Sequence, residues 1–326
     1  MIEVVIPAHN AAAFLHETLE SVAAQSEPPS CITVVDDAST DGTPDLAEAW
    51  AGSVTPRLTV RVLRNTGPRG PSAARNLAIR TSTADAVALL DADDILEPDH
   101  HARLRRALGA VPGALLAFGD HSVFDARGTR IPSGLAENGL ARAPATEVEP
   151  GIFTFGDDMF HALVNIGIFG TSACLFRRDA ALAAGLFDES MMFCEDTDFF
   201  LRLLVGGRVA FVRETVARKR VHDSNLTHER NKLQFSVGTM RFLLKLIEAD
   251  RRGRIALTPM QRGALLAKLP GTVRGHLYLA SCAGLQAYGQ AARMAVRAGH
   301  GGTALHPRHL LCLALRPVLP TPLRPS

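Results

Sequence analysis

The sequence predicts an α/β protein in which a mostly parallel central sheet is flanked by helices, with a helical extension at the C-terminal end. Three observations carry this expectation. Short β-branched runs alternate with helical patterns through the first hundred residues, as right-handed βαβ units require. The runs are apolar on both faces, the mark of buried parallel strands rather than half-exposed antiparallel ones. Beyond Glu229 the pattern becomes helical throughout.

Taken in order, the strand runs are Glu3 to Pro7, Ile32 to Val35 and Ala86 to Leu90. The first helix is expected over Ala12 to Gln25, with Leu15, Leu19 and Val22 on one stripe and Asn10 as its cap. Pro44 to Trp50 is a short helix with proline in its first turn, and Ser72 to Thr81 a third that opens on a capping serine. The middle, from Gly113 to Val221, mixes apolar runs with turns, and Ile131 to Gly151 is loop-like, suited to facing an acceptor. From Glu229 onward, breaks are expected near Pro259, Pro270 and Gly299, with an amphipathic stripe of Phe235, Met240, Leu243, Leu244 and Ile247. The proline-containing last twenty residues are expected to be poorly ordered.

The 326 residues suffice for one large α/β domain and an appendage, and 47% hydrophobic with 21% charged residues is ordinary for a globular chain. The net charge of +2 conceals an asymmetry. From Arg251 to Ser326 there are eleven Lys and Arg and no Asp or Glu, whereas the first 250 residues hold 24 basic against 33 acidic side chains. An acidic body with a basic tail points to a polyanionic partner such as an anionic membrane surface; an arginine-rich helical subdomain is the plainer reading. Five scattered cysteines, without metal-ligand spacing, fit a reducing compartment. With neither a signal-peptide pattern nor an apolar run of spanning length, the expectation is a cytoplasmic protein, resting on the inner face of a membrane where the basic tail meets it.

In an open α/β sheet the ligand site lies outside the carboxyl ends of the strands. The polar clusters here follow the strands directly: His9-Asn10, Asp36-Asp37, and Asp91, Asp93 and Asp94. Concentrated carboxylates of the last kind call for a cation, and hard oxygen ligands suit Mg²⁺ or Mn²⁺ bound through one or two carboxylates plus substrate phosphates; alone, a solvated turn explains them equally. The second cluster can accept a hydrogen bond from a nucleobase N–H. Gly67 to Asn76 leads into a helix bearing Arg75, where a guanidinium and backbone N–H groups favour a diphosphate. There is no GxGxxG and no Walker A lysine loop, so the dehydrogenase and P-loop classes lack their fingerprints.

The ordered set VVIPAHN (Val4 to Asn10), ITVVDDASTDGT (Ile32 to Thr43), GPSAARNLAI (Gly70 to Ile79), LLDADD (Leu89 to Asp94), GLFDE (Gly185 to Glu189), CEDTDFFLRL (Cys194 to Leu203) and RVHDSN (Arg220 to Asn225) closely resembles the family 2 glycosyltransferases. The resemblance implies a GT-A fold over residues 1–228, with a nucleotide-binding half (1–112) and an acceptor half (113–228). Residues 229–326, the basic helical C-terminal region, have no counterpart in it. It further implies a metal-dependent inverting transferase acting on a nucleotide diphosphate sugar, UDP-linked as the family's commonest case. Saccharide or lipid-linked acceptors of polysaccharide, cell-envelope or glycolipid synthesis come with it.

Residue by residue, Pro7, Ala8 and Asn10 fall at the nucleotide pocket, Asp37 at the base, and Arg75 on the phosphate side. Asp91 and Asp93 match the metal motif, with Asp93 as direct ligand and Asp94 supporting it from behind. His222 matches a histidine that approaches metal or diphosphate. Asp196 matches the catalytic base, and the physical argument agrees: adjacent carboxylates opening a helix with Phe199, Phe200 and Leu203 on its apolar side raise a pKa toward what a general base needs. A helix start made acidic to suit the dipole is the plainer alternative. Arg202, six positions along, is expected to orient the Glu195–Asp196 pair.

A nucleotidyltransferase would carry a Gly-rich basic loop after its first strand, where this chain reads PAHNAAAF. A non-catalytic nucleotide-sugar-binding protein is the other alternative, against which Asp93 and Asp196 speak. No nucleic acid partner is expected, and homodimerisation through the Phe235 to Ile247 stripe is the alternative to membrane binding.

Overall fold

The computed structural model describes residues 1–156, 158–166, 170–223, 225 and 229–315. The chain divides into two compact units, residues 1–222 and 223–326.

The first unit runs β1 (Ile2–Ala8), α1 (Leu15–Ala23), β2 (Cys31–Asp36), α2 (Thr43–Val54), β3 (Val60–Arg64), α3 (Pro71–Thr81), β4 (Ala86–Leu89), β5 (Ile95–Leu96) and α4 (His100–Ala110). It continues with β6 (Ala114–Asp125), β7 (Gly128–Ile131), α5 (Gly134–Glu137), β8 (Thr146–Glu149), β9 (Ile152–Thr154), α6 (Asp158–Ile166), β10 (Cys174–Arg177), α7 (Arg178–Ala183), α8 (Glu195–Leu204) and β11 (Arg208–Arg220). The sheet order is β3-β2-β1-β4-β10-β6-β11-β9-β8, with β5 on β11 and β7 on β6. It is parallel across β3-β2-β1-β4. Beyond β4 it turns mixed: β10 lies antiparallel between β4 and β6, while β6 and β11 run parallel.

Strand alternation sorts the core. Val4 and Ile6 of β1 and Ile32 and Val34 of β2 share one buried cluster with Leu15, Leu19 and Val22 of α1, Trp50 of α2 and Leu104 of α4. The apolar side of α3 (Ala74, Ala78, Ile79) is buried apart from that cluster, and α3 packs on β1 and β2. Phe187 stacks on Phe199 with ring centroids 4.2 Å apart, and Phe176 and Phe200 meet Phe199 at 5.3 Å, which holds α8 against β10.

Several local expectations are revised. Helix α1 begins at Leu15 after Phe14, not at a cap on Asn10; Asn10 sits at φ +50° and ties two loops together instead. Gly70 is the N-cap of α3, and Ser72 turns its hydroxyl to the Met191 carbonyl. The stretch from Ile131 to Gly151 holds α5 and β8, in addition to turns.

The second unit comprises α9 (Lys232–Arg251), α10 (Pro259–Ala283), α11 (Leu285–Arg297) and α12 (Pro307–Leu315). A capping box between Thr258 and Gln261 starts α10 at Pro259. Helix α10 passes through Pro270 rather than breaking there. An interior proline costs about 3 kcal/mol, but Leu265, Leu269, Val273 and Leu277 form one buried stripe across it, and the break comes at Gly284, at φ +122°. In α9 the buried face holds Met240, Leu243 and Ile247 as expected, joined by Phe242 and Leu246. Of the last twenty residues, Pro307–Leu315 form α12; the expectation for 316–326 lies outside the described residues. All five cysteines are free thiols.

Candidate active site

The carboxyl ends of β1, β2 and β4 open side by side and are sewn together by side chains from their loops. The Asp37 amide donates to the Ala8 carbonyl at 2.8 Å, joining the end of β1, with Pro7 and Ala8, to the turn after β2. Asn10 accepts from the Thr40 amide at 2.8 Å, and its own amide donates to Ser39 Oγ at 3.0 Å. The buried Asp37 carboxylate accepts from Asn65 Nδ2 at 2.6 Å and the Gly70 amide at 2.7 Å. It therefore braces the loop entering α3, while each carboxylate oxygen keeps a second lone pair for a ligand N–H.

After β4 the chain turns sharply, the Asp94 amide donating to the Asp91 carbonyl. Asp94 points inward: its carboxylate accepts from Ser172 Oγ at 2.6 Å and the Arg220 amide at 2.9 Å. Burial, then the charges of Asp91 and Asp93, push its pKa up to about 8. Thr18 Oγ1 donates to the carbonyls of Ala92 and Asp94, and Ser172 Oγ receives the Asp91 amide. Asp93 faces outward and meets His222 Nε2 at 2.8 Å. Burial and the Asp91 charge raise the Asp93 pKa, against the pull of His222.

His222 belongs to a ladder of stacked planes that no sequence motif announced. Its ring lies on Phe14, centroids 4.6 Å apart. The Arg220 guanidinium sits 5.2 Å from the Phe14 ring centre and 4.5 Å from Phe124, with Arg218 4.6 Å above Phe124 again. Arg220 Nε also donates to the Asp93 carbonyl at 2.9 Å. The ring plane of His222 and the backbone of the acidic loop are thus fixed by the same arginine. Phe14 escaped notice because its spacing is that of an ordinary helix-start apolar residue.

Arg75, buried on α3, bridges the two halves of the site. Its Nη2 donates to Asp91 at 2.8 Å and its Nη1 to Glu195 at 3.0 Å, with the guanidinium 5.4 Å from the Phe187 ring centre. The flanking carboxylates hold its pKa far above the ordinary arginine value against the cost of burial. Each terminal nitrogen thus gives one N–H to a protein carboxylate, and among the described residues Nε has no hydrogen-bond partner.

The Glu195–Asp196 pair opens α8 from Cys194, a non-glycine residue at φ +59°; backbone held in that region is costly and persists where the surroundings over-determine it. Glu195 turns inward and burial, then the Asp196 charge, push its pKa up to about 7, with Arg75 opposing. Asp196 is partly exposed, with Oδ1 accepting from the Thr197 amide at 2.6 Å and Oδ2 3.4 Å from Thr171 Oγ1. A raised carboxyl is thus present at this helix start, on Glu195. Arg202 does not orient the pair: it grips Asp198 at 2.7 Å and caps the carbonyls of Ala184 and Leu186. About 100° per residue puts position 202 some 120° around the helix from 196, and directly above 198.

The cleft consequently gathers Asp91, Asp93, His222, Arg75, Glu195 and Asp196, with Asp94 beneath and Arg202 elsewhere. Among the described residues no three His, Cys, Asp or Glu side chains form a self-sufficient metal cage. The donor set nonetheless fits a hard divalent cation that takes part of its shell from a ligand: a carboxylate and an imidazole in contact, with a second carboxylate whose charge is felt at the first.

Comparison with known proteins points the same way. The chain is 32% identical over 212 residues to the succinoglycan biosynthesis protein ExoO of Rhizobium meliloti, covering 63% of this chain and 56% of that protein. It is 34% identical over 99 residues to the putative teichuronic acid biosynthesis glycosyltransferase TuaG of Bacillus subtilis, 30% of this chain and 38% of that one. The matched segments thus span little more than half of these relatives at most. In three dimensions it resembles S. aureus TarS 1–349 in complex with UDP-GlcNAc (TM-score 0.67, 17% identity, 97% of this chain and 85% of that one). It also resembles the mannosyltransferase PcManGT of Pyrobaculum calidifontis in complex with GDP-Man and Mn²⁺ (TM-score 0.58, 21% identity, 99% and 81%). At these identities the likeness establishes the fold. The profile of glycosyl transferase family 2 matches residues 3–182, more than half the chain, and the protein belongs to that family.

Proposed function

We propose that the protein is a metal-dependent, inverting glycosyltransferase that moves a sugar from a nucleotide diphosphate donor to an acceptor hydroxyl in polysaccharide assembly. The observation that carries this is the bridge through Arg75, which sets the Asp91/Asp93–His222 cluster beside the Glu195–Asp196 pair. A cation-binding group and a carboxylate base are thereby held on opposite ends of one buried guanidinium. The names of ExoO and TuaG support an exopolysaccharide or cell-envelope product, with a saccharide or lipid-linked acceptor. TarS and PcManGT, solved with UDP-GlcNAc and GDP-Man, support a nucleotide sugar, UDP- or GDP-linked.

In this reading Pro7, Ala8, Asn10 and Asp37 frame the nucleotide at the strand ends. Mg²⁺ or Mn²⁺, where bound, would be held by Asp93 and His222 with Asp91 beside them, and would supply positive charge against the leaving diphosphate. Asp196, the partly exposed member of its pair, accepts the proton of the acceptor hydroxyl. The hydroxyl oxygen then forms the new bond to the anomeric carbon while the bond to the diphosphate oxygen breaks and its electron pair leaves with the phosphate. One displacement from the opposite face inverts the centre. Glu195 stays back, protonated in part near neutrality, and keeps Arg75 aligned.

A calorimetric screen of UDP-, GDP-, CDP- and dTDP-sugars with and without Mn²⁺ tests the reading. Metal-dependent binding of one nucleotide class, lost in Asp93→Ala, is expected. Asp196→Asn should bind that donor normally and lose about 10²–10⁴-fold in turnover, the usual weight of general-base catalysis. Binding of no donor by folded protein, or near-normal turnover in Asp196→Asn, removes the assignment.

A further inference from the structure

We infer that the second unit carries a docking face for an anionic lipid bilayer, formed by the outer side of α11 and the 3-10 turn that follows it. Leu285 and Val296 open and nearly close α11; eleven residues is about three turns, so they stand on one side of the helix. They are 79% and 64% exposed, and Leu305, ending the 3-10 turn Gly301–Leu305, is 74% exposed. The turn is held to α11: the Tyr288 hydroxyl donates to the Ala304 carbonyl, and a Cβ on Gly301 would lie 3.0 Å from the Val296 side chain. Three large apolar side chains are thus presented to solvent, two at the ends of one side of α11 and one on the turn held to it.

The charge around these side chains selects the occupant. Arg293 and Arg297 are exposed on α11 beside Val296, and among the described residues neither pairs with a carboxylate, whereas Arg252 and Arg262 are matched to Glu248 and Asp250. From Arg251 to Ser326 there is no acidic side chain at all. A second copy of the chain fits this badly, because a two-fold interface sets the same patch against itself and opposes arginine to arginine. A nucleic acid would find cations but no use for three exposed aliphatic side chains. Anionic lipid satisfies both features: acyl chains accept Leu285, Val296 and Leu305 while headgroups meet the guanidiniums, as for helices lying in the membrane plane. No helix among the described residues is long and apolar enough to cross a membrane, so the contact is interfacial. The inference does not depend on the transferase reading.

Sedimentation of the full chain with vesicles of phosphatidylglycerol and phosphatidylcholine, or of phosphatidylcholine alone, at low and high salt, tests it. Binding to the anionic vesicles that falls at high salt is expected, with little binding to the neutral ones. The Arg293→Gln/Arg297→Gln variant, whose changes are on the surface, should bind about fivefold more weakly for each arginine removed. Leu285→Asp/Leu305→Asp should abolish binding at both salts. Equal binding to both vesicle types, no binding at low salt, or undiminished binding by the two variants overturns the proposal. So does a concentration-dependent dimer that dissociates in Leu285→Asp/Leu305→Asp, which would assign the face to a second copy.

Discussion

Replacing Glu195 by Gln should stabilise the folded protein at alkaline pH and leave it unchanged in acid. Glu195 is buried against Arg75 and its pKa is raised from 4.5 to about 7. A carboxyl raised in the folded state holds its proton there while the unfolded chain has released it. Its stabilising contribution is complete below about pH 4.5 and is lost as pH rises to about 7. At 1.36 kcal/mol per pKa unit, the contribution lost across that window is about 3 kcal/mol. Glutamine keeps an oxygen for the 3.0 Å bond from Arg75 Nη1 and cannot ionise, so it mimics the protonated form at every pH.

The assay is urea unfolding of both proteins at a series of pH values from 5 to 8, with midpoint and slope fitted separately. The two should be close in stability at the acid end, and the variant should be ahead by about 3 kcal/mol at the alkaline end. Asp94, raised in the same direction to about 8, titrates in both proteins and cancels in the difference. Parallel curves over the whole range would mean that Glu195 is ionised throughout, with Arg75 outweighing burial and Asp196. The account of which carboxylate of the pair is protonated would then be wrong.

Two further perturbations probe one support of the site and the packing of α5 on β6. Phe14→Ala removes the plane on which His222 rests at 4.6 Å; outer supports of metal-binding histidines are worth about 10–100-fold in affinity, so calorimetry should show Mn²⁺ binding weakened by that factor, and unchanged affinity would refute the ladder's role. Gly134→Ala would bring a Cβ within 2.3 Å of the His121 ring, an overpacking expected to cost about 1–3 kcal/mol in thermal or urea unfolding, and a second change, His121→Ala, should relieve it.

The parallel strands β1, β2 and β4 were legible because each is an apolar run, β-branched in β1 and β2, delivered straight into polar residues. Strand β3 was not: Val60–Arg64 interrupts its apolar residues with Arg61 and Arg64, and Arg61 is accommodated through Thr33 of β2, buried Glu3 of β1 and the Thr81 carbonyl. The Asp91–Asp94 cluster and the Glu195–Asp196 pair stood out because clustered charge at a strand or helix end is unusual in one dimension, whereas His222 was pointed to only by the family resemblance. What each carboxylate does was hidden, since Asp94 turning in and Asp93 turning out depends on Ser172 and Arg220, which lie 78 and 126 residues from Asp94. Pro270 misled for a related reason. A local helix-breaking preference yields to a stripe of four buried side chains that is visible only once α10 is packed.

The charges of the cleft also explain why donor and cation should bind as a coupled pair. Asp91, Glu195 and Asp196 act on the buried Arg75 guanidinium, which is already paired with the first two. The upward shifts of Asp93, Asp94 and Glu195 come first from burial and then from the neighbouring negative charges. A diphosphate brought alone among these carboxylates adds to the repulsion. A divalent ion at Asp93 and His222 reverses the balance, so the affinity for donor without metal should be weak. By linkage, donor must tighten metal by the same factor that metal tightens donor. On the proposed function, the acidic loop is half of a binding site whose other half arrives with the substrate, so that two protein ligands would suffice where a permanent metal centre would need more.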